Sequence, residues 1–125
     1  MRSQAQDTML RFNQNALVGS ERGHDVMIED WSDPDGRIYR MEYQSSPDGQ
    51  HAVAFCRFNP WGSVDGGVSV LQGHVFCDGS ICMGSEHHGG SVRGSPYTLE
   101  TVIQRGRFWC TAFSVLKETG KFPKP

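Results

Sequence analysis

The sequence has no block of like charge. Its 12 lysines and arginines and 14 aspartates and glutamates are intermixed along 125 residues, for a net charge of −2. No basic run or basic face is there to neutralise phosphates, so nucleic acid is not an expected partner. There is no apolar run near the roughly 20 residues that a membrane-crossing helix needs. Residues 1–19 have polar residues throughout and no apolar stretch long enough for a secretion signal. These absences predict a soluble, cytoplasmic protein with no membrane partner. The four cysteines are Cys56, Cys77, Cys82 and Cys110. Without a secretion signal they are expected as reduced thiols rather than as two disulfides. Internal repeats, low-complexity stretches and domain boundaries are also lacking. A single domain over 1–125 is expected, long enough to bury a core without metal or disulfide.

What the sequence does have is glycine, 15 residues in all. Many glycines mean many turns, which favours short strands over a helical bundle. A helix is expected over 4–18, with Asp7 as its cap, Met9, Phe12 and Ala16 on one side, and Gly19 as its stop. Strand-like pieces follow at 24–31, 37–44, 50–58 and 66–76. The turns "DPDG" (33–36) and "SPDG" (46–49) make the first three antiparallel neighbours. In the second piece Tyr39, Met41 and Tyr43 face one way and Ile38, Arg40 and Glu42 the other. The fourth piece is entered through Gly66–Gly67. After a loop over 77–96 the period changes. Leu99, Val102, Ile103, Gly106, Cys110, Phe113 and Leu116 recur at three and four, with Trp109 on the same face. Ser95–Pro96 supplies a helix start and Gly120 a stop. The closing "KFPKP" reads as a loose tail. The expected class is α+β: an N-terminal helix, a four-stranded antiparallel meander, a loop, and a long C-terminal helix packed on the sheet.

The chemistry-bearing residues gather in "HVFCDGSICMGSEHHGG" (74–90). Cys56, inside a strand, and Cys110, on the apolar stripe, are expected in the core as small hydrophobes. Cys77 and Cys82 lie where regular structure ends. A reactive cysteine needs exposure and a setting that stabilises its thiolate. Of the two, Cys82 has Ile81 as an anchor, and Met83–Gly84 offer backbone N–H groups to a reacting oxygen. Cys77, Cys82, His87 and His88 could also be read as zinc ligands, although their spacing departs from that of structural zinc sites. A cysteine protease would need a base and an orienting Asn or Asp, and no such signature surrounds Cys82. Taken alone, His87 and His88 read as solvent-exposed loop residues.

The order of elements, with His74, Gly79, Ile81, Cys82 and Met83, resembles the ubiquitin-conjugating enzyme family, although the loop from histidine to cysteine is shorter than the family's. That family carries a histidine, a short loop and a G-x-I-C-[LM] segment holding an acceptor cysteine. "FNPW" (58–61) is similar to its aromatic–proline turn, and "SPYTLETV" (95–102) to the start of its crossing helix. "DGSIC" and "ETGKFP" look like its divergent bacterial members. The sequence departs from the family in having Val75 and Phe76 after His74, where the family has proline and asparagine. That asparagine supports the oxyanion of the reacting thioester, so its role is unassigned here. The family's extra C-terminal helices are also missing.

The resemblance implies a transferase. Cys82 would accept a ubiquitin-like protein as a thioester from an activating-type enzyme and pass it to an amine on a protein target. Asp78, Glu86, His87 and His88 are near enough in sequence to help remove a proton from the amine. Of these, Asp78 and His88 join Cys82 as the expected catalytic set. His74 is expected to be structural, its imidazole tying the fourth strand to the loop. No cofactor is implied. A role in antiphage defence follows only by analogy with bacterial systems of this kind. Two alternatives differ in class: an inactive binding module of the same fold that holds a ubiquitin-like partner, and a small zinc domain using Cys77, Cys82, His87 and His88.

Overall fold

The computed structural model describes residues 1–84 and 90–124. It is α+β. The elements run α1 (Gln4–Phe12), β1 (Leu17–Glu21), β2 (His24–Ser32), β3 (Ile38–Ser45), β4 (Ala52–Phe58), α2 (Val70–Gly73) and α3 (Leu99–Thr119). The strands form one antiparallel sheet in the order β1-β2-β3-β4. α3 packs across one face of it, and no helix among the described residues is long and apolar enough to cross a membrane.

The meander is there, but it begins one strand earlier than the sequence suggests. The helix expected over 4–18 ends at Phe12. Its cap is Ser3, not Asp7: the Ser3 hydroxyl accepts from the Gln6 amide at 3.0 Å, and the Gln6 side chain returns the bond to the Ser3 amide. Asn13 then turns the chain out by accepting from the Asn15 amide at 2.9 Å. Gly19 is no helix stop. It lies within β1, which joins β2 through Arg22–Gly23, both at positive φ, in a two-residue hairpin turn.

Residues 66–76 are not the fourth strand. Gly66 and Gly67 sit at positive φ, and Val70–Gly73 form a single helical turn. A side chain at Gly66 or Gly73 would run into the Phe113 ring, so this segment lies on α3. The edge of β4 that it would have joined is taken by residues 79–81. The Cys56 amide donates to Gly79 O at 2.8 Å, and the Ile81 amide to Ala54 O at 2.9 Å.

The core lies between the sheet and α3. Met27 from β2, Tyr39, Met41 and Tyr43 from β3, and Ala52, Ala54 and Cys56 from β4 meet Val102, Ile103, Trp109, Cys110 and Phe113. α3 starts at Leu99 with Thr98 as its N-cap, not at Ser95–Pro96; the Thr98 hydroxyl accepts from the Thr101 amide. Gly120 ends it in the left-handed conformation, as expected. The tail is not loose. The Phe122 ring lies against His74, with centroids 4.5 Å apart and the planes tilted by 53°, and packs against the core.

Candidate functional site

The hairpin that carries Cys82 is built from backbone. His74 caps α2 in the left-handed conformation, φ 56°. Val75 pairs with Ile81, and the Phe76 amide donates to Ser80 O at 2.9 Å. The Cys82 amide donates to His74 O at 2.8 Å. Gly79 makes the reversal at φ 89°, where a Cβ would lie 2.7 Å from Cys56 O. The residue types of "DGSI" therefore fit a tight turn pressed on the β4 edge. Beyond it Cys82 emerges half-buried.

Cys82 opens on a groove of about 870 Å³. Its walls are Ile81, Met83 and His74 from the hairpin, Gln104, Arg105, Phe108 and Trp109 from α3, and Phe122 to Lys124 from the tail. Phe108 is 39% exposed there, an aromatic ring facing solvent on an otherwise polar part of the helix. The Cys82 thiol donates to Gly84 O at 2.9 Å. From α3, Arg105 Nη1 donates to Met83 O at 2.6 Å, and its guanidinium lies over the Tyr97 ring, 5.1 Å from the centroid. Tyr97 packs closely on Gly84: a Cβ there would meet Tyr97 Oη at 2.1 Å and would have to displace the phenol. Arg105 and Tyr97 thus hold the 83–84 backbone from outside. The Met83 and Gly84 amides donate to no backbone carbonyl among the described residues.

The four thiols are separated by environment. Burial pushes Cys56 up to about 12, and burial pushes Cys110 well above the ordinary thiol range. Both stay protonated and belong to the core. Cys77 is exposed on the hairpin turn and Cys82 lines the groove; all four are free. Asp78 is not among the residues that line the groove. Its Oδ1 accepts from the Ser80 amide at 2.8 Å and from the Ser80 hydroxyl at 2.6 Å, which closes the turn. His88, with Glu86 and His87, lies outside the described residues. His74 holds the Cys82 amide through its carbonyl, and its ring lies tilted against Phe122; among the described residues the imidazole makes none of the expected bonds to the loop backbone. Among the described residues no cluster of three or more His, Cys, Asp or Glu could hold a metal ion; two of the four residues of the zinc alternative, His87 and His88, lie outside them.

Sequence reasoning missed the far wall. Arg105, Phe108 and Phe122 reach Cys82 only through the packing of α3 and the tail. Phe108 alone left a signal, being an aromatic off the apolar stripe. No family model, curated protein or solved structure matches this chain.

Proposed function

We propose that the chain is an acyl carrier of the ubiquitin-conjugating type. Cys82 accepts the C-terminal glycyl group of a ubiquitin-like protein from an activating-type enzyme and gives it to an amine on a protein target. The observation that carries this reading is a half-buried thiol just past a backbone-built hairpin at the mouth of an apolar groove. A nucleophile so placed can be reached by an extended chain end while the groove limits water. In each transfer the thiolate or amine adds to a thioester carbonyl, and the negative charge on oxygen then needs donors. The Met83 and Gly84 amides are the candidates, in place of the asparagine that the sequence lacks. Asp78 and His88 remain the proposed helpers for the proton of the incoming amine; the Asp78 carboxylate stands at the turn, with Oδ2 close to Gly90.

The test is thioester formation with a cognate activating enzyme and ubiquitin-like protein, read as a thiol-sensitive adduct on a non-reducing gel. Cys82→Ala is expected to abolish the adduct and Cys77→Ala to leave it. Loss of the adduct in Cys77→Ala alone would overturn the assignment. Because Cys82 lies outside the core, Cys82→Ala should change folding stability by no more than about 0.5 kcal/mol.

A further inference from the structure

We infer that the Cys82 groove selects an acyl donor whose chain end is a peptide carrying an apolar side chain flanked by an acidic one. The inference rests on the acceptor reading above and names the substrate class of that site. Two cations, Arg105 and Lys124, line the groove, and among the described residues no aspartate or glutamate does. Neither cation enters an ion pair among the described residues. Arg105 uses one nitrogen on Met83 O, and its planar fork has further N–H groups to offer a carboxylate. Lys124 is brought there by the tail, which is docked by Phe122 on His74. The groove's apolar lining includes Phe108, Trp109, Phe122 and Met83.

Gln104 suits an extended peptide as the occupant. Its carboxamide is exposed on α3 and lines the same groove. It offers both a donor and an acceptor, the pair an extended backbone needs. The donor's apolar side chain would sit against Phe108 and Phe122, its carboxylate against Arg105, and its terminal carbonyl at Cys82. The Cys82 thiolate then adds to that carbonyl. A carbon–sulfur bond forms to Cys82, the bond to the donor's own sulfur breaks, and the departing thiolate takes up a proton.

The experiment uses two short peptide thioesters ending in glycine, alike except for glutamate or lysine beside a leucine. Acylation of Cys82 is followed by intact mass, with Cys82→Ala as the blank. The wild-type protein should react about fivefold faster with the glutamate peptide, the size one exposed ion pair supports. Arg105→Glu should reverse the preference. Lys124→Glu, a change on the tail outside every helix, should weaken it even if the α3 variant folds poorly. Equal rates for the two peptides in the wild type would overturn the charge selection and leave the acceptor reading standing. No acylation of Cys82 by either peptide would overturn the acceptor reading and this inference with it.

Discussion

Tyr43 and Gly106 show how tightly single residues are set beneath the site. The Tyr43 hydroxyl is fully buried, and it has no hydrogen-bond partner among the described residues. Burial pushes its acidity far from the ordinary phenol range, so it stays protonated with its polarity unanswered. An unmade buried hydrogen bond costs about 1–3 kcal/mol. Tyr43→Phe should therefore hold or raise the melting temperature, and a fall of several degrees would show that the hydroxyl has a partner in solution. Gly106 explains why the phenol fits. A Cβ there would lie 2.7 Å from Tyr43 Oη and 2.8 Å from the ring edge. In a free helix Gly→Ala gains about 1 kcal/mol. Here overpacking at about 1–3 kcal/mol should win, so Gly106→Ala should lower the melting temperature. An increase would mean that α3 can lift off β3 at no cost.

At the scale of elements, one ion pair fixes α3 to the sheet. Glu29 of β2 points into the core with a fully buried side chain, and Arg107 of α3 meets both of its oxygens at 2.8 and 3.0 Å. Asn13 adds a bond to the same carboxylate at 2.9 Å, and Arg107 also donates to Phe12 O while lying over Trp31. α1, β2 and α3 are thus held at one point. Breaking a buried pair leaves a stranded charge and costs about 3–5 kcal/mol, whereas replacing both partners by apolar groups is often neutral. Arg107→Met should lower the unfolding free energy from denaturant titration by that amount, and adding Glu29→Met should recover most of it. If the double variant is as weak as the single one, the pair is not what holds α3. Neither partner announces itself in the sequence, because a charge on a strand reads as an outward residue. The alternation of Tyr39, Met41 and Tyr43, and the stripe from Leu99 to Leu116, were legible because they are periodic and the packing obeys the period. β1 was not legible: Leu17 is exposed and only Val18 of the strand is partly buried. Pairing with β2, not burial, makes it a strand. Residues 66–76 misled for the opposite reason, since "VSVL" alternates but the β4 edge beside it is already filled. Cys82 could be picked out by its neighbours in sequence. Its groove could not, since half of the walls come from α3 and the tail.

For the whole molecule, the end of the sheet nearest the α3 C-terminus is held by a chain of polar groups. Trp61 Nε1 donates to Tyr39 Oη at 3.0 Å, Tyr39 Oη lies 2.6 Å from Ser114 Oγ, and Ser114 Oγ donates to Asp33 Oδ2 at 2.6 Å. Because Ser114 spends its proton on Asp33, Tyr39 must donate to Ser114. Arg37 closes the chain at 2.7 Å on Asp33 Oδ2 and also pairs with Asp35 and Glu118. The Trp61, Tyr39 and Ser114 donors run in turn toward one carboxylate, Asp33, which Arg37 Nε also holds. Burial alone would raise the Asp33 pKa, but the Ser114 hydroxyl and then the Arg37 guanidinium outweigh it and hold the group at about 2, below its ordinary 3.8. A carboxyl held low in the folded state contributes stability above its unfolded value and loses it as pH falls through the folded one. The melting temperature should therefore drop between about pH 4 and pH 2 as Asp33 takes up a proton and the row loses its acceptor. Glu42, Asp48 and Asp65 are also held low, so they share in the acid loss. Asp33→Asn separates the contributions. It should lower the melting temperature at neutral pH and flatten, without abolishing, the fall over that window. A variant with the wild-type slope would place the acid sensitivity wholly in the other carboxylates and leave Asp33 as a turn residue. The outcome bears on the groove as well, because this end of α3 leads into the tail that sets Phe122 on His74.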